Sequence, residues 1–177
     1  NLHELFVDEI RDIAHAEQQL TKALPKLARH ASSETLRRAI EHHREETRGQ
    51  VSRLEQVFEM LDEKASGKPC AGRAAIIEEA DDLLGEQEPG AVLDAAIVAG
   101  AQRAEHYEMA AYGAAIAWAR AMGHNDVADL LEQTLGEEKA ADATLTEIAE
   151  DGVNRAAMDG SAGDTAAPQG RRSTTRH

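Results

Sequence analysis

Apolar residues recur at every third or fourth position along four long segments of the chain, the spacing that places them on one face of an α-helix. Ser32 and Ser33 are suited to cap the second segment, and Asn125 is suited to cap the fourth. Pro25 is expected to bend the first. The sequence thus predicts four long helices, over residues 2–31, 33–65, 91–122 and 126–150.

The connections between these segments predict how the helices pair. The first and second segments are separated by a short break, as are the third and fourth, so each pair is expected to form an antiparallel hairpin. About 25 residues join the hairpins and include a short helical pattern over 74–84, enough to travel the roughly 30 Å length of a bundle. This connectivity predicts an all-α, ferritin-like four-helix bundle with a long crossover containing a short helix.

The end of the sequence differs from the rest in composition. After residue 158 it contains few apolar residues and many turn formers. We therefore expect one bundle domain over residues 1–158 and a flexible C-terminal tail over residues 159–177. Because the tail lacks a convincing helical pattern, the extra short helix on which ferritin storage cages rely is not predicted, and no such cage is expected.

Each apolar face is interrupted near its middle by polar residues. A carboxylate occupies the apolar face of the first, third and fourth segments, and the face of the second turns polar over residues 43–50. The residues at these interruptions are Glu17, His43, Glu46, Gln50, Glu105 and Glu138.

The depth of these residues can be compared because a helix rises about 1.5 Å per residue. Counted from the turn of the first hairpin, Glu17 and Glu46 lie at nearly the same level. In the second hairpin Glu108 matches Glu138 well and Glu105 matches it less well, so both remain candidates.

The two hairpins also resemble each other weakly, which predicts a pseudo-twofold arrangement around one central site. AEQQL at 16–20 parallels AEHYE at 104–108, and EETRGQ at 45–50 parallels EEKAAD at 137–142. The correspondence pairs Glu17 with Glu105, Glu46 with Glu138 and Gln50 with Asp142.

Several carboxylates inside a bundle are unfavourable unless they bind a cation or take up protons. Oxygen-rich ligation favours iron or manganese over zinc. Neither Glu46 nor Glu138 is followed three residues later by histidine, although His43 precedes Glu46 by three, so we expect a carboxylate-rich site with at most one or two imidazoles. The candidate metal ligands are Glu17, His43, Glu46, Gln50, Glu105, Glu108, Glu138 and Asp142.

The overall charge and the cysteine content narrow the class of protein. A formal net charge of −14 repels nucleic acid phosphates and anionic lipids and attracts cations. Cys70 is the only cysteine, which favours the reducing cytoplasm. The sequence contains no run of about 18 apolar residues. We therefore expect a cytoplasmic protein that binds neither nucleic acid nor membranes.

Four motifs resemble the YciE/YciF family of bacterial ferritin-like stress proteins over roughly residues 2–150. They are LHELFVDEIRDIAHAEQQLTKALPKLA, ETRGQVSRLEQVFEMLDEKASGKPC, AEHYEMAAYG and LLEQTLGEEKAADATLTEIA. The resemblance implies a homodimer with a dinuclear metal site, in which Glu46 and Glu138 bridge the metals and Glu17 and Glu105 are terminal ligands. Gln50 stands where relatives can have histidine, which implies weaker metal binding.

Two functions follow as hypotheses. The first is a stress-response protein whose iron or manganese pair cycles against oxygen or peroxide. The alternative is a non-catalytic bundle that acts through dimerisation and whose buried carboxylates are protonated. Tyr107 and Tyr112 are expected to pack the bundle, and His106 lies off the apolar face of its helix.

Overall fold

A computed structural model describes residues 1–65 and 71–160, and the flexible tail expected over 159–177 falls outside these residues from 161 onward. The four long helices are α1 (Leu2–His30), α2 (Glu34–Leu61), α4 (Ala91–Ala121) and α5 (Asn125–Ile148), and the crossover contains α3 (Ala71–Glu86). A π-helical turn (Ala149–Val153) and the short α6 (Asn154–Asp159) follow α5. None of the described helices has both the length and the apolar character needed to cross a membrane.

Local hydrogen bonds explain where the helices begin. The hydroxyl of Ser33 accepts a hydrogen bond from the backbone N–H of Leu36, so the predicted cap of α2 is confirmed. The predicted cap of α5 by Asn125 is wrong, because His124 occupies the capping position and Asn125 is already helical. Gly123, with a φ of 82°, reverses the chain after α4 so tightly that α5 starts one residue early.

The four long helices form a closed ring of neighbours. α1 packs against α2 and α4, and α5 packs against the same two helices, so α2 and α4 lie diagonally across the bundle. The crossover helix α3 packs on α4 and on α1. The predicted all-α four-helix bundle with a helical crossover is confirmed.

The end of the bundle differs from the sequence expectation. The fourth long helix was expected to continue to Glu150, but α-helical geometry ends at Ile148 and a π-helical turn follows. This turn and α6 pack back on α4 and bury Val153 and Ala156. Burial of these two small side chains explains why the chain continues along α4.

Two apolar clusters fill the bundle and leave a polar layer between them. One cluster contains Phe6, Ile10, Leu54, Val57, Ile116 and Leu131. The other contains Leu20, Leu24, Leu36, Ile40, Val98 and Leu145. Along α1, the step from Ile13 to Leu20 crosses from the first cluster to the second, and Glu17 lies between them.

Candidate metal centre

The polar layer is buried as completely as the apolar clusters around it. On the four long helices, the spacing that turns leucine and isoleucine inward also turns the polar residues of the layer inward, because they occupy the same helix faces. Its buried polar residues are Glu17, His43, Thr47, Gln50, Arg73, Glu105, Glu108, Thr134 and Glu138.

A first group of possible metal ligands joins three helices. His43 from α2, Glu105 from α4 and Glu138 from α5 each offer a ligand atom within 4.8 Å of the others. His43 Nε2 lies 3.2 Å from Glu105 Oε1 and 3.9 Å from Glu138 Oε2. One imidazole and two carboxylates can hold a divalent ion from three directions.

A second group shares one member with the first. Glu17 from α1, Glu108 from α4 and Glu138 from α5 also bring ligand atoms within 4.8 Å of one another. Glu138 therefore belongs to both groups. Both Glu105 and Glu108 reach the centre, one in each group, although their depths along α4 differ by one helical turn.

Hydrogen bonds orient two of these carboxylates. The side-chain amide of Gln50 donates to Glu138 Oε1 at 2.5 Å and to Glu137 Oε2 at 3.1 Å. Tyr112 donates its hydroxyl hydrogen to Glu17 Oε1 at 2.6 Å. Tyr112 packs in the core as expected, but its contact with Glu17 also fixes one carboxylate of the centre.

Arg73 is a member of this layer that the sequence analysis did not find. It lies near the start of α3 and is completely buried. Its Nη1 donates to the carbonyl of Ala104 at 3.0 Å, and its Nη2 forms an ion pair with Glu108. No periodic signal marked it, since the α3 sequence has no continuous apolar face that an arginine could interrupt.

Burial raises the pKa of three carboxyl groups. The pKa of Glu138 is raised to about 9 by burial and then by its contact with Glu105. Burial together with the charge of Glu138 raises the pKa of Glu17 to about 8, and burial raises that of Glu105 to about 7. A metal-free centre therefore retains protons at neutral pH.

His43 and Glu46 respond to each other. Burial lowers the pKa of His43, but Glu46, Glu138 and Glu17 together raise it, so the net shift is upward. The hydrogen bond to His43 in turn lowers the pKa of Glu46. Glu46 lies on the outer side of His43, with Oε2 3.5 Å from His43 Nδ1, so it is placed to orient the imidazole.

The chemistry of the buried atoms fits metal binding. Glu17 Oε2, Glu105 Oε2 and Glu138 Oε2 are buried and accept no hydrogen bond from the described residues. Such unsatisfied acceptors are unfavourable inside a protein, and a cation would satisfy them. The donor set, mainly carboxylate oxygen with one imidazole nitrogen, suits iron or manganese.

The structure brings six of the eight predicted ligands together and leaves two at the edge. Glu46 pairs with His42 and His43 and is partly exposed, so it is not the counterpart of the fully buried Glu138 that the pseudo-twofold repeat implied. Asp142 contacts Gln102 and His106 and belongs to neither three-residue group. The ligand roles assigned to these residues stay predictions.

A cavity of about 110 Å³ opens to the surface and is lined in part by His43 and Glu105 of the first group. Apolar side chains form much of its wall. The other wall residues include Leu24, Ile40, Ala101 and Leu145. The cavity gives an ion or a small molecule a route to the centre.

Comparison with known proteins identifies the family. A family model described as a domain of unknown function, DUF892, matches residues 1–158. The chain belongs to this family. Protein YciF of Escherichia coli is 42% identical over 157 residues, which cover 88% of this chain and 95% of that protein. The resemblance of the four motifs to YciF proteins is confirmed.

Solved structures of similar proteins share the fold. The crystal structure of the E. coli stress protein YciF has a TM-score of 0.84 at 42% identity and covers 88% of this chain and 98% of that chain. YcfI of Rhodopseudomonas palustris has a TM-score of 0.81 at 47% identity and covers 82% and 93%, respectively. A Xanthomonas campestris protein with 21% identity and a TM-score of 0.71, covering 90% and 97%, supports the fold alone.

Proposed function

We propose that this chain is a stress-response protein that binds a pair of divalent iron or manganese ions in the bundle core and acts on oxygen or peroxide. One observation carries the proposal, namely that Glu138 belongs to two separate three-residue ligand groups. A carboxylate shared in this way could serve as a ligand to two ions. The relative named the E. coli stress protein YciF supports the physiological part of the proposal.

The two ligand groups would each bind one ion. His43 and Glu105 would hold one ion, Glu17 and Glu108 would hold the other, and Glu138 would be a ligand to both. When bound, the metal pair supplies one-electron redox chemistry. Gln50 keeps Glu138 in place, as Tyr112 does for Glu17, so the carboxylates are held before an ion arrives.

The surroundings of the centre favour chemistry on a small reactant. Apolar clusters lie on both sides of the layer. The cavity of about 110 Å³ that is lined in part by His43 and Glu105 has room for a molecule of a few heavy atoms. Oxygen and peroxide fit this volume.

Metal analysis tests the proposal. Protein purified without a metal-binding tag is stripped with a chelator, dialysed anaerobically against Fe(II) or Mn(II), and analysed for metal and protein. We expect about two ions per chain and a raised melting temperature, which a chelator reverses. A metal content close to zero with both ions would overturn the proposal.

A second candidate function is a structural one. The raised pKa values of Glu17, Glu105 and Glu138 allow the layer to exist as a protonated hydrogen-bond network without metal. The similar YcfI of Rhodopseudomonas palustris is described as a candidate structural protein. In that case neither added metal nor a chelator would change the melting temperature.

We also propose that the chain forms a homodimer. Three large apolar side chains, those of Leu2, Leu5 and Met60, are exposed on α1 and α2. Exposed apolar side chains of this size favour a protein contact when they are grouped. Size-exclusion chromatography with light scattering should give twice the chain mass, and a large shell would contradict this proposal.

A further inference from the structure

Arg73 places a permanent positive charge among the carboxylates of the centre. Arginine is rarely buried without a partner, and this one is fully buried between the carbonyl of Ala104 and the carboxylate of Glu108. Its charge also lowers the pKa of Glu17 and Glu105 against the larger effect of burial. The guanidinium therefore acts on carboxylates of both ligand groups.

The sequence beside Arg73 lets α3 approach α4 closely enough for this contact. A Cβ atom on Gly72 would lie 2.8 Å from the hydroxyl oxygen of Tyr107 and 2.9 Å from its ring, closer than real Cβ atoms come. A side chain at residue 72 would therefore force the Tyr107 ring to move from its place against the start of α3. This close contact brings Arg73 within reach of Glu108.

A metal ion in the second ligand group would lie beside the positive charge of Arg73. Glu108, a member of that group, already pairs with the Arg73 guanidinium. Two cations that share one buried carboxylate repel each other, and little water is present to screen the repulsion. An ion in the first group, which lacks Glu108, avoids this direct competition.

We propose that Arg73 holds the place of the second metal ion at Glu108, so that the chain binds one ion with Arg73 in position and a second only when Arg73 withdraws. The inference rests on the proposed metal function. The first ion binds at His43, Glu105 and Glu138, the group that does not include Glu108, the carboxylate that pairs with Arg73. Binding of the second ion replaces the ion pair of Arg73 with Glu108.

Withdrawal of Arg73 requires movement rather than loss of its charge, because a guanidinium keeps its proton in proteins. The helix that carries it is suited to such movement. Of the 16 residues of α3, Arg73 and Leu84 are the buried ones, whereas each long helix has a buried face along its length. The start of α3 can therefore leave α4 without opening the four-helix core.

A titration with Mn(II) tests the inference. Metal-free protein is titrated while bound ions are counted by equilibrium dialysis and paired ions are detected by electron paramagnetic resonance. In the wild-type chain we expect the second ion to bind about tenfold or more weakly than the first, and in Arg73→Met we expect the second affinity to rise about tenfold or more. Arg120→Met, which removes an exposed arginine paired with Glu132, should change neither affinity.

Hydrogen exchange in the wild-type chain gives an independent result if Arg73→Met does not fold. Amide exchange in the second turn of α3, whose N–H groups bond to carbonyls of the first turn, should rise with the second equivalent of Mn(II) and not with the first. A second affinity that is unchanged or weaker in Arg73→Met, or a second turn of α3 that stays protected in doubly loaded protein, would overturn the inference. Failure of the wild-type chain to bind any Mn(II) would instead contradict the proposed function itself.

Discussion

His43 Nε2 lies 3.2 Å from Glu105 Oε1, so a side chain of α2 meets a side chain of α4 across the diagonal of the bundle. Both side chains are almost completely buried. The attraction of a buried imidazole and carboxylate is stronger than at the surface because water does not screen it. The same low polarity makes it unfavourable to bury several ionised carboxylates beside a single imidazole, so the centre must bind either protons or cations.

Replacing Glu138 with glutamine should separate metal binding from folding. Glutamine has nearly the same shape but cannot supply an ionised bridge, so Glu138→Gln should lose the metal-induced rise in melting temperature. Without metal, the variant should be more stable by about 1–3 kcal/mol at pH 7. Burial raises the pKa of Glu138 to about 9, so the wild-type carboxyl must take up a proton when the chain folds, and glutamine removes this cost. Urea unfolding with and without Mn(II) measures both effects.

A glutamate on the same helix provides the control for Glu138→Gln. Glu132 is on α5, is about half exposed and pairs with Arg120. Glu132→Gln should change the free energy of unfolding by no more than about 0.5 kcal/mol and should leave metal binding intact. Metal stabilisation that survives in Glu138→Gln would argue against a shared ligand.

The stability of the metal-free protein should fall as the pH rises from about 5 to about 9. In the folded chain the pKa values of Glu17, Glu105 and Glu138 are about 8, 7 and 9, so these carboxyl groups keep their protons over much of this interval. In the unfolded chain the same groups have already lost their protons. Because the unfolded state binds fewer protons than the folded state, unfolding becomes more favourable as the pH rises. The raised pKa of His43 acts in the same direction.

Urea unfolding with a chelator at several pH values measures this dependence. We expect a decrease of at least about 4 kcal/mol across the interval for the wild-type chain and a smaller decrease for Glu138→Gln. With Mn(II) present, ligation holds the carboxylates ionised, so the decrease should shrink or reverse. A profile that is flat without metal would show that the carboxyl groups are ionised at neutral pH.

The apolar spacing was sufficient to predict the bundle and part of the centre. Glu17 and Glu138 were found by the signal that found the helices, since each replaces an apolar residue at a position the helix must bury. The depth comparison added Glu108, which the structure places beside Glu138. These residues could be predicted because their positions depend on the period of one helix and on the level of its neighbour.

The remaining contacts could not be predicted because they depend on the rotation and docking of separate elements. The spacing put His43 on the apolar face of α2 with Glu46 beside it, but it could not show that His43 meets Glu105 and Glu138 on other helices. Arg73 meets a partner 35 residues further along the chain, through a crossover helix without an apolar stripe. Asp94 similarly contacts the turn between α1 and α2, 61 and 62 residues earlier.

Removing the hydroxyl of Tyr112 should weaken the fold through Glu17. Tyr112→Phe leaves the ring in its buried place but deprives Glu17 Oε1 of a hydrogen bond of 2.6 Å, which should reduce the free energy of unfolding by about 1–2 kcal/mol. Tyr107→Phe makes the same chemical change at a side chain that is 37% exposed on the same helix, so its effect should be smaller. Equal effects would contradict a specific role of the contact with Glu17.

Asp94 should contribute to stability without contributing to metal binding. Its buried carboxylate accepts hydrogen bonds from the backbone N–H groups of Ser32 at 2.7 Å and Ser33 at 2.9 Å, and thereby ties α4 to the turn between α1 and α2. Asp94→Asn removes the charge and replaces one acceptor oxygen with a donor that faces a backbone N–H. We expect the free energy of unfolding to fall by about 2–4 kcal/mol.

The control for Asp94→Asn is the matched change at Asp126, an exposed acid in the first turn of α5. Both substitutions remove an acid from the first turn of a helix, and the favourable interaction of that acid with the helix N-terminus is worth about 0.3–1 kcal/mol in each case. The difference between the two variants in urea unfolding therefore isolates the hydrogen bonds to Ser32 and Ser33. Because Asp94 lies in neither ligand group, Mn(II) stoichiometry should be unchanged in both variants, and a loss of metal in Asp94→Asn alone would show that the hairpin turn controls the geometry of the centre.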